Sequence, residues 1–454
     1  MTQPAPVETP PREAIVRVAR DLAHEVVVNV LAAMAIAVLA FIVLGGRIED
    51  LYQRVRLGAP TSGEVALVTI DEEALYLWDA GDPTPEVTPR GLLAEVVRFC
   101  AAAGAKVVVL DILTDAPAPG DDALAEAARA HGAVIVAERY VPGTPGDPTP
   151  FAAATVLGDA VTPAYANLGT EERTVFSGEM LVRAVPLVQA VARSRLVGTW
   201  PGNLVGAYQD DDAVMPAIAL AAAWSQRTGR PPRELENVLQ GRCGGAPPAC
   251  TVSLADLGLP PSPVPLHALL PVNFRGPEGG DRIPAVPAAR ILRAAGEAAL
   301  ARTLGLDLPV TVPADLREIL GGKAVVVGRV DDAANDRFVT PFSFPAMLDA
   351  DMSGMRVHAQ LLDTLLSGRH LRRAGGGVAW MAALALAVAV VGTRRLAPAR
   401  HLAAWSAAAV AMVVAGVVTF RVTDGLAIDV GPGVLAVLLG MLAVHLYGRG
   451  ANPG

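Results

Sequence analysis

The stretch AKVVVLDILTDAPAPGDDALAEAARAHGAVIVAE, residues 105–138, decides the fold class. It contains two β-branched strands, 106–113 and 134–138, and a predicted helix that ends in Gly-Ala precedes each of them. Such apolar strands are typical of a parallel sheet that helices cover on both faces. A strand over 65–71 and a helix over 88–105 come before this stretch, so the order is β-α-β-α-β. This order predicts an α/β fold with a mostly parallel sheet, right-handed crossovers and flanking helices.

Local signals predict where several elements begin and end. Thr88 is suited to the N-cap of its helix, Pro89 to the first helical position, and Gly104 to the end. Asp121 or Asp122 is favourable at the positive N-terminus of the next helix. Further along we predict a helix over 216–226, a strand and turn over 269–277, a buried strand over 324–328, and a helix from Ser353 whose apolar face contains Val357, Leu361, Leu362, Leu365 and Leu366.

The composition indicates a membrane protein. Mean hydropathy is +0.41 and only 18% of the 454 residues are charged, so part of the surface is expected to face lipid. The net charge of −8 argues against a nucleic-acid partner. Apolar stretches long enough to cross a bilayer as helices are predicted at residues 25–45, 375–392, 402–420 and 430–447.

The placement of arginine predicts the sidedness of these spans. Arginines precede the first span, lie between the second and third, and follow the fourth: Arg12, Arg17, Arg20, Arg394, Arg395, Arg400 and Arg449. We therefore expect residues 1–24 and the C-terminus in the cytoplasm and residues 46–374 outside it. The protein would be a multi-pass protein of the bacterial inner membrane, and Ala-, Gly- and Arg-rich composition is typical of a GC-rich bacterial genome.

Carboxylates follow the predicted parallel strands. Asp71, Asp111 and Asp115 come at strand ends, and Asp336 with Arg337 lies in the loop after the last buried strand. The carboxyl ends of parallel strands form the usual ligand face of an open α/β sheet, so these residues are predicted to converge on a cation or a small polar ligand. The alternative is that Asp71 and Asp111 cap helices or pair with arginines, among them Arg90 and Arg337.

Asn273 and Arg275 belong to the segment VNFRGP and are also predicted ligand-binding residues. An arginine just past a strand can bind a carboxylate or phosphate with two parallel hydrogen bonds. It can equally hold Asp111 in a structural ion pair. His358 lies beside the apolar face of its helix, and a buried, satisfied histidine is the favoured interpretation over a pH-responsive group or a metal ligand.

The remaining motifs argue for a protein without metal, cofactor or catalytic residues. The chain has no GxxxxGK[ST], GxSxG, HExxH or GxGxxG motif in a supporting context. Cys243 and Cys250 flank a Gly-Pro loop and are expected to form a disulfide outside the cytoplasm. Cys100 is expected to be a small core residue.

The order of these segments resembles the CHASE2 domain, an extracytoplasmic sensory module of bacterial signalling proteins. The segments that carry the resemblance are VTIDEEAL, TPRGLLAEVVRFCAAAGAKVVVLDILTD, DDALAEAARAHGAVIVAE, VNFRGPEGG, GKAVVVGRVDDAANDRFVTPF and GMRVHAQLLDTLLSGRHLRR. Similar proteins continue beyond their last membrane helix into an output domain, whereas only GRGANPG follows Tyr447 here. The resemblance implies a membrane-bound sensor that signals to a separate partner.

Three functions remain open from the sequence. The first is a receptor that binds a small ligand or an envelope protein and passes a signal through its membrane helices to a cytoplasmic or membrane partner. The second is an envelope scaffold or a subunit of a membrane complex that uses the α/β domain for docking. The third is an extracytoplasmic enzyme with a site built from Asp71, Asp111 and Asp336. A homodimer is compatible with each of them.

Overall fold

The structure, a computed structural model, describes most of the chain outside the N-terminal segment. The described residues are 48–56, 59–79, 85–138, 140–141, 151–152, 155–168, 170–172, 180–195, 207–243, 252–262, 264–266, 268–303, 306, 308–331, 336–343, 351–374 and 398–427. The chain divides into two compact units. One comprises Arg56–Arg173 and Ser177–Leu371, and the other comprises Met1–Val55, Thr174–Phe176 and Arg372–Gly454.

A six-stranded parallel sheet forms the centre of the first unit, in the order β13-β1-β14-β2-β3-β6. The other sheets among the described residues are a four-stranded sheet, in the order β11-β10-β5-β4, and short two-stranded pairs. The strands are β1 (Val65–Ile70), β2 (Val107–Leu113), β3 (Val134–Glu138), β4 (Tyr140–Val141), β5 (Phe151–Ala152), β6 (Thr162–Tyr165), β7 (Thr170–Glu172), β8 (Met180–Val182), β9 (Ala184–Pro186), β10 (Val188–Arg195), β11 (Ala207–Pro216), β12 (Leu269–Pro271), β13 (Ala285–Pro287), β14 (Ala324–Arg329), β15 (Arg337–Phe338), β16 (Met352–Ser353), β17 (Arg372–Arg373) and β18 (Leu426–Ala427).

Helices cover both faces of the central sheet, which gives the unit two hydrophobic cores. The helices are α1 (Ile48–Val55), α2 (Glu72–Trp78), α3 (Arg90–Ala103), α4 (Asp121–His131), α5 (Ile218–Thr228), α6 (Arg233–Cys243), α7 (Ala288–Thr303), α8 (Ala314–Leu320), α9 (Gly354–Ser367) and α10 (Pro398–Val422). Helices α2, α3, α4, α7 and α8 pack on one face, and α5, α6 and α9 pack on the other. Because the strands are covered on both faces, most of their residues are apolar, as the stretch 105–138 predicts.

The prediction of a mostly parallel α/β sheet is confirmed, with one change in a helix cap. Helix α3 begins at Arg90, and its N-cap is Pro89, which makes no side-chain cap hydrogen bond. The prediction of Thr88 as the N-cap is therefore wrong by one residue. Gly104 ends α3, and Asp121 begins α4, as predicted. The helix predicted over 216–226 is α5, displaced by two residues towards the C-terminus.

The position of β14 is the main feature of the sheet that the β-α-β-α-β pattern does not contain. This strand comes from more than 200 residues beyond β2, yet it pairs in parallel with both β1 and β2 and separates them. Edge strand β13 pairs with β1 on its other side. As a result, the carboxyl ends of strands from distant parts of the chain meet at one edge of the sheet.

Helix α9 is buried on every side. The predicted apolar face is confirmed, since Val357, Leu361 and Leu365 and their apolar neighbours are all buried. Its polar residues are buried as well: Arg356, His358, Gln360, Asp363 and Thr364. An ordinary amphipathic helix exposes its polar face. Helix α9 instead contacts α5, β1 and β14 on its apolar side and a polar network on the other.

The second unit contains α1, α10 and the pair β17–β18 among its described parts. The rings of Tyr52 on α1 and Phe420 on α10 pack with centroids 5.5 Å apart. The apolar stretch 402–420 is helical and lies within α10, whereas 25–45, 375–392 and 430–447 lie outside the described residues. Within the described part of the chain, none of the helices combines the length and the apolar character that a membrane crossing needs. The four crossings stay predictions.

Candidate functional site

Asp71 follows β1 at the carboxyl edge of the central sheet, where open α/β folds usually bind ligands. Its Oδ1 atom accepts a hydrogen bond of 2.9 Å from the backbone N–H of Ala74 and caps the first turn of α2. This is the alternative role that the sequence left open for Asp71. The carboxylate satisfies a donor at the helix N-terminus and is engaged there.

Asp111 lies where β2 stops pairing regularly with its neighbours. Leu110 is the last residue of β2 in register with both β14 and β3, and the pairing with β3 then shifts before Leu113. Such irregularities re-aim side chains at sheet edges. Alternation along β2 places Asp111 on the same face as Val107 and Val109, which is the face of the sheet that carries α5, α6 and α9.

The Asp111 carboxylate is half-buried and has no ion pair among the described residues. Its Oδ2 atom is buried and lacks a hydrogen-bond partner within the same part of the chain. Burial raises the pKa of Asp111 to about 7, because desolvation disfavours the charged form. Neither alternative role from the sequence, a helix cap or a partner of Arg90 or Arg337, is realised by this residue.

Asp336 reaches the same region from the segment before β15. Its carboxylate packs against Gly354, the first residue of α9, and a Cβ atom at position 354 would collide with it. Burial, and after it the nearby charge of Asp111, raise the pKa of Asp336 to about 6, against smaller opposing effects of His358 and the Gly354 N–H. The two carboxyl groups therefore lie close enough for the charge of Asp111 to act on Asp336.

His358 lies one turn beyond Gly354 on the same side of α9 and is only 3% exposed. Its Nε2 atom lies 3.0 Å from the carbonyl oxygen of Ala166. A carbonyl oxygen can only accept, so Nε2 carries the proton and Nδ1 is an unprotonated acceptor. Nδ1 is buried and has no partner among the described residues. Burial lowers the pKa of His358 to about 4, so the ring is neutral at neutral pH, although the charge of Asp336 acts in the opposite direction.

Asp111, Asp336 and His358 together form what we call the acceptor site. Met355 completes its surroundings, because its side chain packs on Gly328 of β14, and a Cβ atom at position 328 would lie 2.8 Å from the Cβ of Met355. The glycine lets the first turn of α9 approach the sheet beside Asp111. The prediction that Asp111 and Asp336 lie at one edge therefore agrees with the structure, and binding at that edge stays a prediction.

Asp115 lies on the other side of the sheet edge. Its charge acts on Arg90 of α3, whose Nε atom lies 3.2 Å from Asp121 Oδ1 and whose Nη2 donates to the Leu113 carbonyl at 3.1 Å. Arg90 is buried against the core that α3 and α4 share. Asp115 is thus part of the electrostatic surroundings of a buried arginine and is not brought together with the acceptor site.

Arg337 is exposed and directed away from the acidic strand ends. Its Nη2 atom donates to the backbone carbonyl of Asp351 at 2.6 Å and lies 3.3 Å from a carboxylate oxygen of Glu278. The predicted convergence of Arg337 with Asp71 or Asp111 is therefore not found. The arginine instead ties the strand pair β15–β16 to the segment around Glu278.

Arg275 is fully buried and its partner is Asp363 on α9. The Nε atom lies 3.0 Å from Asp363 Oδ2, Nη2 donates to Ser367 Oγ at 3.0 Å, and the backbone N–H donates to Gln360 Oε1 at 2.6 Å. The structural alternative for Arg275 is correct, but the carboxylate it binds is that of Asp363, and the predicted pairing with Asp111 is wrong. Each buried charge in this pair satisfies the other.

The order of these elements agrees with a known family. A family model described as the CHASE2 domain matches residues 27–394. The chain belongs to the CHASE2 family. CHASE2 domains are extracytoplasmic sensory domains, so the recognition made from the sequence is confirmed. Neither a curated protein nor a solved structure gives a significant match to the chain.

Asn273 joins the first and last segments of the CHASE2 unit. Its side chain is fully buried; Oδ1 accepts a hydrogen bond of 2.6 Å from Arg56 Nη2, and Nδ2 donates to the Arg369 carbonyl at 2.5 Å. Arg56 also donates to the carbonyl of Phe274 at 2.9 Å. We call Arg56, Asn273 and Arg369 the clasp. Its contacts use both polar groups of the Asn273 amide, so the side chain predicted to bind a ligand has a structural role.

The clasp has two flanking contacts that also connect the ends of the CHASE2 unit. Arg369 Nη1 donates to the Pro60 carbonyl at 2.7 Å, and Asp363 Oδ1 accepts a hydrogen bond of 2.6 Å from the backbone N–H of Ser62. Asp363 therefore bridges the buried Arg275 and the entering chain. These contacts fix the C-terminal half of α9 to the segment that follows Arg56.

The cysteines and the possible metal ligands are the remaining features that the sequence analysis considered. Cys243 ends α6 with a buried side chain, but Cys250 lies outside the described residues, so the disulfide stays a prediction. Cys100 is buried in the core of the CHASE2 domain, as predicted. Across the described residues, no group of three or more His, Cys, Asp or Glu side chains is placed to hold a metal ion.

Sequence reasoning named His358 but did not connect it with Asp111 and Asp336. The signal that links them is short: a glycine at the first position of a helix, with a histidine four residues later on the same side. A second missed feature of the CHASE2 domain is the buried pair of Arg356 and Asp281, whose oxygens lie 2.7 and 2.8 Å from Arg356 Nη1. The burial of the Asp281 carboxylate is explained by its ion pair with Arg356, which lies 75 residues away in the chain.

Proposed function

We propose that this protein is a membrane-bound receptor whose CHASE2 domain detects a ligand outside the cytoplasm and signals through flanking membrane helices. Residues 25–45, 375–392, 402–420 and 430–447 would cross the bacterial inner membrane, with both termini in the cytoplasm. The apolar stretches and the positions of the arginines support this topology. Family membership supports the sensory role.

The clasp is the observation that carries the proposed mechanism. In sequence, Arg56 follows the first apolar stretch and Arg369 precedes the second. One buried amide binds both segments. A displacement of either segment must therefore break one of these hydrogen bonds or move the other segment with it. The relative position of the two predicted membrane helices can therefore depend on the conformation of the domain.

Helix α9 connects the acceptor site to the clasp. Gly354 and His358 occupy its first turns, and Asp363 occupies its last turns, with the clasp residue Arg369 following. Its 14 residues span about 21 Å. A helix buried on all sides moves only by repacking between discrete arrangements, so a ligand that prefers one arrangement would shift both chain segments together.

The message would be received by a separate cytoplasmic or membrane partner. The cytoplasmic surfaces that the topology offers are residues 1–24, the loop between 392 and 402 and the tail after 447. These segments carry the arginines that predict the sidedness, so a partner would meet a basic surface near the membrane. No catalytic step is assigned to the CHASE2 domain in this proposal.

Cysteine cross-linking in the full chain tests the proposal. Pairs of cysteines, one in 25–45 and one in 375–392, are oxidised in membranes that contain otherwise wild-type protein, Asn273→Ala or Asn237→Ala. Asn237 is exposed on α6 and provides the matched control. We expect the cross-linking pattern to change in Asn273→Ala and to match wild type in Asn237→Ala.

Arg369→Ala provides a second, milder variant, since it removes the contact with Pro60 and keeps the carbonyl that Asn273 binds. An intermediate change in the same cross-linked pairs is expected. Identical patterns in wild type, Asn273→Ala and Arg369→Ala, all folded by circular dichroism, would show that the clasp does not transmit a signal.

A further inference from the structure

We propose that the acceptor site binds a small ligand through a primary ammonium group, which donates hydrogen bonds to Asp111, Asp336 and His358. This inference rests on the proposed receptor function and names the chemical class of its ligand. The three residues come from β2, from the segment before β15 and from α9, so the site exists only in the folded domain.

The geometry brings the three groups around the first turn of α9. Asp336 packs on Gly354, and His358 lies one turn further on the same side of the helix. Asp111 follows Leu110, which pairs with Val327, and therefore lies beside Gly328, against which Met355 packs. Asp111 and Asp336 are half-buried residues, with the Oδ2 atom of Asp111 buried, whereas His358 is 3% exposed, so the site has a partly exposed acidic side and a buried neutral side.

Hydrogen-bond acceptors without donors line the site. Asp111 Oδ2 and His358 Nδ1 are buried without partners among the described residues. The arginines of neighbouring segments have other partners: Arg356 binds Asp281, Arg329 binds Asp331 and Arg337 binds Glu278. Buried polar groups normally have partners, so unpaired acceptors beside an accessible acidic surface point to a ligand that supplies donors and positive charge.

An ammonium group fits this arrangement better than a metal ion. Metal ligands lie at about 2.0–2.2 Å from the ion, and no such group of side chains occurs in the described chain. Ammonium hydrogen bonds are longer, at about 2.8 Å, and the group offers three donors. The site offers one acceptor for each of these donors, in Asp111, Asp336 and the unprotonated Nδ1 atom of His358. Desolvation of the carboxylates is offset by the positive charge of the ligand.

The titration of the site adds a pH signature. The pKa of Asp111 is raised to about 7 and that of Asp336 to about 6, chiefly because both groups are buried. The charged groups that face them are each other and, when it is protonated, His358. Above pH 7 both carboxylates are ionised and attract a cation, whereas below pH 6 protons compete with it. Binding of an ammonium group should thus weaken on acidification and release protons near neutral pH.

The test is isothermal titration calorimetry of the full chain in lipid nanodiscs. Ethylammonium chloride is the probe, and tetramethylammonium chloride, which has the same charge and no donors, is the matched control ligand. At pH 8 we expect ethylammonium to bind with a Kd of about 1 mM, the limit for so small a ligand. Tetramethylammonium should bind at least tenfold more weakly, and the ethylammonium affinity should fall at least tenfold between pH 8 and pH 5.

The variants Asp111→Asn and Asp336→Asn should each weaken ethylammonium binding at least tenfold. Asp122→Asn changes an exposed aspartate at the start of α4 and should leave the affinity unchanged. Asn at position 111 lacks the cost of a buried charge, so this variant is expected to fold, and circular dichroism with thermal unfolding verifies it. A loss of binding in the folded variant supports a direct contact.

Several outcomes overturn the inference. They are no binding of ethylammonium by wild type at pH 8, equal affinity for tetramethylammonium, or unchanged affinity in both site variants. Saturable binding of Zn²⁺ that Asp111→Asn abolishes, without ethylammonium binding, would assign the site to a metal instead. Calorimetry and cross-linking separate the two proposals: ethylammonium binding with unaltered cross-links supports the site and rejects the signalling mechanism, and the reverse result does the opposite.

Discussion

The Asp111 carboxylate is incompletely satisfied within the described part of the chain. The carboxylate lies at an irregularity of β2, with a buried oxygen that lacks a partner among the described residues. Asp71, which follows β1, instead accepts a hydrogen bond at the N-terminus of α2. A polar group left without a partner destabilises a fold, so its presence in the sheet edge is understandable if a ligand completes it.

Replacing Asp111 with Asn should stabilise the protein at high pH. The folded-state pKa of Asp111, about 7, exceeds the ordinary value of 3.8. Ionisation therefore costs the native state nothing below pH 4 and costs most above pH 7. We expect Asp111→Asn to raise the free energy of unfolding by about 2 kcal/mol at pH 8, with the gain shrinking as pH falls through 7 towards 4.

Urea unfolding of wild type, Asp111→Asn and the exposed control Asp122→Asn at pH 8, 6 and 4 measures this effect. Asp122→Asn should differ little from wild type at any of the three pH values. A gain for Asp111→Asn that is equal at pH 4 and pH 8 would show that ionisation of Asp111 is not its cause.

At this scale, the sequence predicts which residue types occupy the strand ends, and it does not predict their partners. Asp111 is recognisable because it lies near the end of an apolar strand, Asp336 because it lies in the loop after another, and Asp71 because a helix follows it. The role of Arg275 was not predictable, since Asp363 lies 88 residues away in the chain. Only the tertiary fold decides which of many carboxylates meets a buried arginine.

The elements show the same division between local and long-range information. The apolar face of α9 follows from its 3.6-residue periodicity, but the burial of its polar face requires the segment 273–281, which supplies Arg275 and Asp281. The β-α-β-α-β pattern predicts the parallel sheet. It cannot predict that β14 separates β1 from β2, because all three strands are equally apolar and any order would bury them.

The buried pair of Arg275 and Asp363 should be far more important for the stability of α9 than an exposed pair. Arg275→Met leaves Asp363 buried without its cation, so we expect the free energy of unfolding to fall by about 4 kcal/mol. Arg290→Met is the matched control, because Arg290 and Asp315 are both about half exposed. It should change the same quantity by about 0.5 kcal/mol.

Urea unfolding of the two variants at pH 7 checks this expectation. The buried-pair interpretation fails if the two substitutions cost the same. A combined Arg275→Met, Asp363→Leu variant should recover part of the loss, since it removes the unpaired charge together with its partner.

The contact between Gly328 and Met355 should set how closely α9 approaches the sheet. Gly328→Ala places a Cβ atom against Met355 and should lower the free energy of unfolding by about 2 kcal/mol. In a Met355→Gly background the same substitution should cost much less, because the Cβ atom of Met355 and the rest of its side chain no longer fill the space. Equal costs of Gly328→Ala in both backgrounds, measured by thermal unfolding, would contradict this packing.

For the whole molecule, the family match and the parallel sheet agree with the interpretation of the sequence, and the topology remains to be measured. Alkaline phosphatase folds only where disulfides form, so fusions to it report location outside the cytoplasm. We expect a fusion after Gly258 to be active and a fusion after residue 396 to be inactive, with equal expression verified by immunoblotting. Activity only in the second fusion would invert the proposed topology.

The clasp has a practical consequence for the architecture of the CHASE2 domain. The Asn273 amide contacts the side chain of Arg56 at the start of the folded body and the backbone carbonyl of Arg369 at its end, so the two ends lie close together. A body of this kind can be grafted into a surface loop of an unrelated host with little distortion, because its two ends leave the fold close to each other. In this way the sensory domain could be inserted into another protein, in evolution or by design, without disrupting the fold of the host.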